Sequence, residues 1–260
     1  MKAIVYPTRL LQIALISLAL ALLLGTAGAR GELLFADSFD YPKGDLAGNG
    51  PPPGSPPGQG EWTLFNGKPS VALFGFQFPG VYSAGKSVIL TGPTETNGDK
   101  ALAELRPVTA ADGAVWVGFL MNKARGGRNG YAVVSLGNNV TGPSLGIGML
   151  FERNRYGLDN NTGERGSRSN TDFRPSEEAV WMVTKLDFIT GEDYLWVSPM
   201  PGVEPDIADA DAQLPMTAAF LSSGFSEVVL TIGYTQATFR FDEVRVATTF
   251  ADLVSPPLAP

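Results

Sequence analysis

Hydrophobic and polar residues alternate along most of this chain in short runs, which is a pattern typical of β-strands. In the segment 179–188, Met182 and Leu186 share one set of alternate positions, whereas Trp181 and Lys185 share the other. Successive side chains of a strand point to opposite faces, so this alternation predicts a strand. No long segment shows the period of about 3.6 residues that an amphipathic helix needs.

We predict a dozen strands, separated by turns in which the 31 glycines and 20 prolines are concentrated. The predicted strands are an opening segment at 33–41 and segments at 61–65, 71–78, 87–90, 101–106, 114–121, 131–136, 145–152, 179–188, 194–197, 227–232 and 237–246. Short helical turns are expected at 206–212 and 216–221. Strands of this number and spacing predict an all-β jelly-roll sandwich of two stacked antiparallel sheets.

The first 29 residues have the organisation of a signal peptide. Lys2 and Arg9 form a basic region before an apolar run at 10–24, and the small residues at 27–29 form a cleavage site. The run is shorter than the roughly twenty residues that span a bilayer, and an anchor that is never cleaved is the alternative. The sequence therefore predicts a protein that is secreted or held in the periplasm or cell envelope, with no membrane span after cleavage.

The rest of the chain predicts one sandwich domain at 30–254, followed by a disordered proline-rich tail at 255–260. Between the first predicted strands, the loop 44–60 contains runs of proline and has no strand pattern. We expect it to be either a flexible excursion or a lid over one end of the sandwich.

Composition narrows the chemistry, because the sequence contains no histidine and no cysteine. This excludes Ser-His-Asp and Cys-His catalysis, zinc sites built on imidazole, and a disulfide framework. Carboxylate chemistry, lysine or tyrosine bases, and oxygen-ligated metals such as calcium remain. The formal net charge of −7 and the lack of a basic cluster argue against nucleic acid as a partner.

Three parts of the chain, taken together, resemble a known family. They are the opening 35–44 that leads to Trp62, the middle at 181–188 with 194–199, and the end at 241–246 followed by 248–252. In their order and spacing they resemble secreted concanavalin A-like (laminin-G-like) jelly-roll domains, of the kind found in exported planctomycete and verrucomicrobial proteins. The resemblance covers most of the chain that follows the predicted signal peptide.

The resemblance implies a jelly-roll sandwich that often binds carbohydrate and sometimes binds calcium. Catalytic members, the laminarinase-like glycosidases, resemble one another in a Glu-x-Asp-x-x-Glu strand, which this sequence lacks. We therefore expect a non-catalytic lectin-like module that binds carbohydrate or another extracellular partner.

Two alternatives stay open. One is a glycoside hydrolase or polysaccharide lyase that uses carboxylates or tyrosine, for which Glu104, Glu152 and Asp187 are the strand-embedded acids. The other is a structural protein of the cell envelope.

The first and last strands of such a jelly roll can lie side by side. That arrangement would bring Asp37 or Asp40 near Asp242 or Glu243. Because calcium binds several carboxylate oxygens, these four residues are a candidate calcium site, and no other cofactor is required. The alternative is that the same side chains are solvated or cap turns.

Aromatic and polar residues are concentrated where the strand at 145–152 turns abruptly polar and in the loop before 131–136. Sugar rings stack on aromatic faces, and amide, carboxylate and guanidinium groups bind their hydroxyls. The candidate ligand-binding residues are Trp62, Arg128, Tyr131, Glu152, Asn154 and Tyr156. The alternative is a solvated hairpin whose arginines pair with nearby acids, with the Trp62 ring packed against the proline-rich loop.

Overall fold

The computed structural model describes residues 31–93, 96–127, 130–138, 142–160 and 167–255. The predicted signal peptide at 1–29, Arg128, and residues 256–260 of the predicted tail lie outside the described residues. Within the described ranges, no helix is long and apolar enough to cross a membrane.

Sixteen strands and two short α-helices form in the described residues. The strands are β1 (Leu33–Asp37), β2 (Gly44–Asp45), β3 (Thr63–Asn66), β4 (Ser70–Val71), β5 (Val88–Thr91), β6 (Asn97–Val108), β7 (Ala114–Gly126), β8 (Tyr131–Gly137), β9 (Ser144–Met149), β10 (Tyr156–Asp159), β11 (Arg168–Asn170), β12 (Val180–Asp187), β13 (Glu192–Val197), β14 (Ala212–Pro215), β15 (Phe225–Gly233) and β16 (Ala237–Ala247). The α-helices are α1 (Ala218–Ser223) and α2 (Phe250–Val254), and 3-10 turns lie at Ala110–Asp112 and Ile207–Asp209.

The strands pair into two sheets, which hold nine and seven strands when only the described residues are counted. The nine-stranded sheet runs β14-β13-β12-β7-β16-β5-β4-β2, and β1 also pairs with β16. The seven-stranded sheet runs β11-β10-β9-β8-β15-β6-β3. All the strand pairs are antiparallel. This architecture confirms the predicted all-β sandwich.

The main core lies between the sheets, because each strand directs alternate apolar side chains inward. On β8, Ala132, Val134 and Leu136 are fully buried, and Phe239 and Phe241 of β16 are buried in the same core. Burying one large apolar side chain contributes about 1.5–3 kcal/mol relative to leaving it exposed. The core is therefore formed by the inward side chains, and the outward side chains of the same strands do not contribute to it.

A second, smaller core covers the outer face of the nine-stranded sheet. Trp116, Trp181 and Trp196 pack there with Phe250 of α2. The rings of Trp116 and Trp196 are stacked with centroids 5.8 Å apart, and Phe250 meets Trp116 at 5.3 Å. This face is closed by aromatic packing, in contrast to the outer face of the seven-stranded sheet.

The two ends of the domain are joined by the pairing of β1 with β16, which aligns Asp37 with Val244. The loop 44–60 is tied to β1 through Gln59, whose side-chain amide accepts from Ala36 N–H (3.0 Å) and donates to Ala36 O (3.1 Å). The amide thus pairs with the backbone of Ala36 as a residue of a neighbouring strand would. Residues 52–55 of this loop face β1 and the side chains of Glu243 and Arg245 on β16 across a small pocket.

The predicted strand at 71–78 is wrong beyond Val71, where β4 ends. There the backbone bonds to side chains instead of to another strand. Phe76 N–H donates to Asp242 Oδ2 (2.7 Å), and Ser87 Oγ donates to the carbonyl oxygen of Phe74 (2.9 Å). A hydrophobic run that reads as a strand is therefore a loop.

The sequence also predicted the short helices and strands incompletely. The helical turns predicted at 206–212 and 216–221 are confirmed in part, as a 3-10 turn and as α1. Strands β2, β10, β11 and β14 were not predicted, because each has only two to four residues, and β2 begins the segment 44–60 that was predicted to be a loop throughout.

Candidate ligand-binding groove

A groove crosses the outer face of the seven-stranded sheet. Its floor consists of outward positions on β8, β9 and β15, where most side chains are small or absent, namely Val133, Ser135, Gly137, Ser144, Gly146, Val229 and Thr231. The strand register places Ser135 between Gly146 and Val229. Because the floor is low, the groove has a volume of about 510 Å³.

Aromatic rings form one wall of the groove. The ring centroids of Tyr131 and Tyr234 are 6.3 Å apart, and Phe151 meets Tyr234 edge-on at 5.4 Å. Tyr131 lies across Gly233, its partner on β15, where an added Cβ would come within 2.7 Å of the tyrosine hydroxyl. The Tyr131 hydroxyl donates to Asn97 Oδ1 at 2.8 Å, which fixes the ring. Burial raises the pKa of Tyr131, so this hydroxyl stays protonated at neutral pH.

Three charged side chains line the groove among the described residues: Lys100, Asp159 and Arg168. Arg168 Nε donates to Asp159 Oδ2 at 2.5 Å, and the guanidinium carbon lies 5.8 Å from the centroid of the Phe151 ring. Lys100 Nζ lies 5.2 Å from the centroid of the Phe65 ring. Burial lowers the pKa of Lys100, and the charge of Glu227 acts in the opposite direction.

Glu104 and Glu227 lie beside the groove as cross-strand partners on β6 and β15. Glu227 also faces Gly137 of the groove floor. Burial, followed by the charge of Glu104, raises the pKa of Glu227, whereas Lys100 lowers it. The Oε2 atom of Glu227 is shielded from water and has no hydrogen-bond partner among the described residues. Glu104, an acid that the sequence had singled out, is thus brought beside one that it had not.

Tyr131 is the one candidate ligand-binding residue that lies among the described residues lining the groove. Glu152 and Asn154 lie in the turn that follows Phe151 and adopt positive φ angles of 59° and 48°. They therefore border the aromatic wall without forming it. The other predicted acid, Asp187, accepts hydrogen bonds at a hairpin turn on the opposite sheet.

The predictions for Trp62 and Tyr156 require correction, because both rings lie in the core. Trp62 is 1% exposed, packs edge-on against Phe35 at 6.0 Å, and donates from Nε1 to Asp37 Oδ2 at 2.7 Å. Tyr156 is 0% exposed on the inner face of β10. Neither ring is accessible to a ligand in the groove.

The sequence interpretation missed Lys100, Phe151, Arg168 and Tyr234, all of which line the groove. These residues come from four separate segments that only the sheet order brings together. One signal was present: the outward positions of 131–137 and 144–149 are rich in glycine and serine. Small residues at alternate positions of neighbouring strands indicate a depression in the sheet surface.

Three of the four candidate calcium residues come together in a buried group, which we call the carboxylate cluster: Asp37, Asp242 and Glu243. Their exposed fractions are 1%, 0% and 3%. Asp40 does not join them, because it is exposed and pairs with Lys86 at 3.4 Å. The prediction that the first and last strands lie side by side is confirmed.

Every carboxylate oxygen of the carboxylate cluster accepts a hydrogen bond from the protein. The donors are Phe39 N–H, Tyr41 Oη–H and Trp62 Nε1–H to Asp37, Phe76 N–H and Glu243 N–H to Asp242, and Ala84 N–H and the Arg245 guanidinium to Glu243. Burial nevertheless raises the pKa of Asp37 to about 6 and that of Asp242 to about 8.

This arrangement does not fit a calcium ion as it stands, because protein donors already occupy the oxygens. In the part of the chain that the structure describes, no group of three or more acidic, cysteine or histidine side chains is placed to hold a metal. Calcium binding therefore stays a prediction for experiment.

The described residues form an all-β jelly-roll sandwich of two antiparallel sheets, with a groove open on one sheet face. No protein-family model matches the sequence, and no curated protein matches it. Among solved structures, the globular domain of T. cruzi calreticulin is similar with a TM-score of 0.54 and 9% identity, covering 86% of this chain and 90% of that one. This likeness shows the fold alone.

Two further solved structures have lower TM-scores. A family 16 glycosyl hydrolase from Mycobacterium smegmatis has a TM-score of 0.49 and 16% identity, covering 83% of this chain and 100% of that one. The binding domain of botulinum neurotoxin DC, solved in complex with SialylT, has a TM-score of 0.44 and 12% identity, covering 74% of this chain and 46% of that one.

Proposed function

We propose that the groove binds a carbohydrate chain and that the protein is an exported, non-catalytic lectin-like module. The observation that carries this proposal is the open groove of about 510 Å³ on the seven-stranded sheet, with its aromatic wall and low floor. Small-molecule sites commonly have volumes of roughly 300–1,000 Å³ and combine apolar walls with a few polar groups. The groove has both properties.

The chemistry of the lining suits a sugar. Tyr131, Phe151 and Tyr234 offer ring faces and edges against which the apolar face of a pyranose packs. Ser135, Ser144 and Thr231 place hydroxyl groups on the floor, within the same groove. A ligand rich in hydroxyls can exchange hydrogen bonds with these groups, whereas an aliphatic ligand cannot, so a sugar is favoured.

The expected site of action is outside the cytoplasm, in the medium, the periplasm or the cell envelope. The support is the signal-peptide pattern at 1–29. A bacterial source is a further expectation of the same proposal, supported by the sequence resemblance and by the lack of cysteine in a chain with an export signal.

The proposal is tested by binding to a glycan array, followed by affinity measurements on Tyr234→Asn. Asparagine tolerates the positive φ of 54° at this position, so the backbone is preserved. Loss of the ring should weaken binding by about three- to tenfold, the equivalent of about 0.5–1.5 kcal/mol. The matched control is Tyr82→Asn, since Tyr82 is 41% exposed, like Tyr234 at 42%, but lies outside the groove lining.

Two results would contradict this proposal. If Tyr234→Asn and Tyr82→Asn weaken binding equally, the ligand binds outside the groove. If the folded protein binds no glycan, a structural role in the cell envelope is favoured.

A glycoside hydrolase is the second candidate function, and the Glu104–Glu227 pair favours it. Cross-strand partners have Cβ atoms about 4.5–5.5 Å apart, so rotation of the two side chains could bring the carboxyl groups to the roughly 5–5.5 Å of a retaining glycosidase. The raised pKa of Glu227 suits a general acid. Release of reducing ends that disappears in Glu227→Gln, with glycan binding retained, would establish this candidate in place of the lectin.

A further inference from the structure

Lys100 is an ammonium group in the groove lining that has no anionic partner in contact. It lies on β6 opposite Thr231, and its Nζ contacts the face of the Phe65 ring at 5.2 Å from the centroid. Among the described residues, no carboxylate comes within the 4.0 Å of an ion pair with Nζ, and Glu227 acts on it from farther away. A positive charge is thus held in a partly desolvated position against an aromatic ring.

Such a position costs free energy. Burial removes water from the ammonium, which disfavours the charged form and lowers the pKa of Lys100. The penalty is removed when an anion occupies the groove, because hydrogen bonds to charged groups are stronger than those between neutral groups.

The other positive group of the lining is already neutralised. Arg168 pairs with Asp159 and lies against the Phe151 ring, so it is held in place on the far side of the groove. Counting Lys100, Asp159 and Arg168, the lining carries one excess positive charge, whereas the whole chain has a formal net charge of −7. The groove therefore differs in sign from the rest of the protein.

Two acids lie near the groove and must be included in this balance. Glu104 is four residues from Lys100 on β6, and its partner Glu227 is four residues from Thr231 on β15. Four residues of a strand span about 13 Å between Cα atoms, so both acids lie at the opposite end of the groove from Lys100, although the charge of Glu227 still acts to raise the pKa of Lys100. The groove therefore has a basic end at Lys100 and an acidic end at Glu104 and Glu227.

We infer that the ligand is an acidic polysaccharide whose carboxylate or sulfate group binds Lys100 Nζ, between Tyr131 and Thr231. This inference rests on the proposed carbohydrate-binding function and adds the charge of the ligand and its direction in the groove. The anionic substituent lies at the Lys100 end, and the uncharged hydroxyls lie over the floor at Ser135 and Gly137.

The test compares three polysaccharides on the full-length chain: polygalacturonate, which carries carboxylates, carrageenan, which carries sulfates, and laminarin, which is neutral. Affinities are measured at 25 and at 300 mM NaCl. We expect one acidic polymer to bind at least about tenfold more tightly than laminarin at low salt and to weaken at high salt. Which of the two acidic polymers binds identifies the anionic group.

The substitution Lys100→Gln should weaken binding of the acidic polymer about tenfold and reduce its salt dependence, with the melting temperature unchanged. Lys43→Gln makes the same change of charge at an exposed position outside the groove lining and should have no effect.

The outcomes separate the two proposals. Laminarin binding that matches or exceeds that of both acidic polymers, and that is weakened by Tyr234→Asn, overturns the inference but leaves the carbohydrate groove standing. Equal effects of Lys100→Gln and Lys43→Gln overturn it as well, since they would show attraction to the whole surface. A folded protein that binds none of the three polymers and no glycan on the array overturns both proposals.

Discussion

The carboxylate cluster and the groove both contain polar side chains but differ in their access to open space. In the carboxylate cluster, all six oxygens of Asp37, Asp242 and Glu243 accept hydrogen bonds from the protein. In the groove, Lys100 and the hydroxyls of the floor face an open volume. Polar groups that are satisfied from within hold the fold together, whereas polar groups that point into open space are available to a ligand.

The largest expected effect is on the carboxylate cluster, through Asp242→Ala. The substitution leaves the N–H groups of Phe76 and Glu243 buried without an acceptor. Since an unsatisfied buried group costs about 1–3 kcal/mol, the free energy of unfolding should fall by about 3 kcal/mol in urea titrations at pH 7. The control Asp40→Ala, at an exposed position after β1, should change it by less than about 0.5 kcal/mol. Similar losses from the two variants would contradict the comparison.

Asp193 is a buried acid outside the carboxylate cluster, and it lacks the hydrogen-bond donors that the carboxylate cluster provides. It is 1% exposed, and neither of its carboxylate oxygens has a hydrogen-bond partner among the described residues. Burial, followed by the charge of Glu192, raises its pKa well above 3.8. Its proton is thus held more tightly in the folded state, so its contribution to stability is complete below about pH 4 and is lost as pH rises towards the folded-state pKa.

We expect the free energy of unfolding to fall between pH 4 and pH 8, and Asp193→Asn to reduce this slope, while the raised pKa values of Asp37 and Asp242 account for the slope that remains. Urea midpoints measured across this range for both proteins provide the check. A variant that keeps the full slope would show that other groups cause it.

A smaller effect, on binding alone, is expected from filling the groove with Ser135→Phe. Ser135 is an outward residue between Gly146 and Val229, so a phenyl ring at this position would occupy the groove without entering the core. Glycan affinity should fall at least about tenfold, with the melting temperature nearly unchanged. Ser135→Ala keeps the groove open and should bind within about threefold of the parent. If Ser135→Phe binds normally, the ligand does not use this groove.

The smallest expected effect is that of calcium. Because protein donors occupy the oxygens of the carboxylate cluster, adding calcium or a chelator should shift the melting temperature by less than about 1 °C. A rise of several degrees with calcium, absent in Asp242→Asn, would show that the carboxylate cluster opens to bind the ion.

The fold was predictable from the sequence because alternation is a local property. The long strands β7 and β12 carry it clearly, and they are neighbours within the nine-stranded sheet. The strand predicted at 71–78 was wrong because the backbone there bonds to the side chains of Asp242 and Ser87. These residues lie elsewhere in the chain, so the pattern within 71–78 could not indicate this.

The groove was less predictable, because it depends on the order and register of strands. Tyr131 was identified from its own surroundings, but Lys100 joins it only because β6 and β8 both pair with β15. Trp62 shows the limit of interpreting residue types singly. Its position beside a proline-rich loop suggested an exposed ring, whereas the hydrogen bond from its Nε1 to Asp37 allows the indole to be buried.

The pairing of β1 with β16 also determines how the domain responds to mechanical load. Leu33 lies opposite Ala247, so the chain enters and leaves the sandwich at neighbouring points of one sheet. A force applied between these points would open the β1–β16 hydrogen bonds one after another, starting from Leu33, rather than loading them all at once. The same closeness means that a short linker could join the two points, and a circularly permuted chain opened at an exposed turn should keep the groove intact.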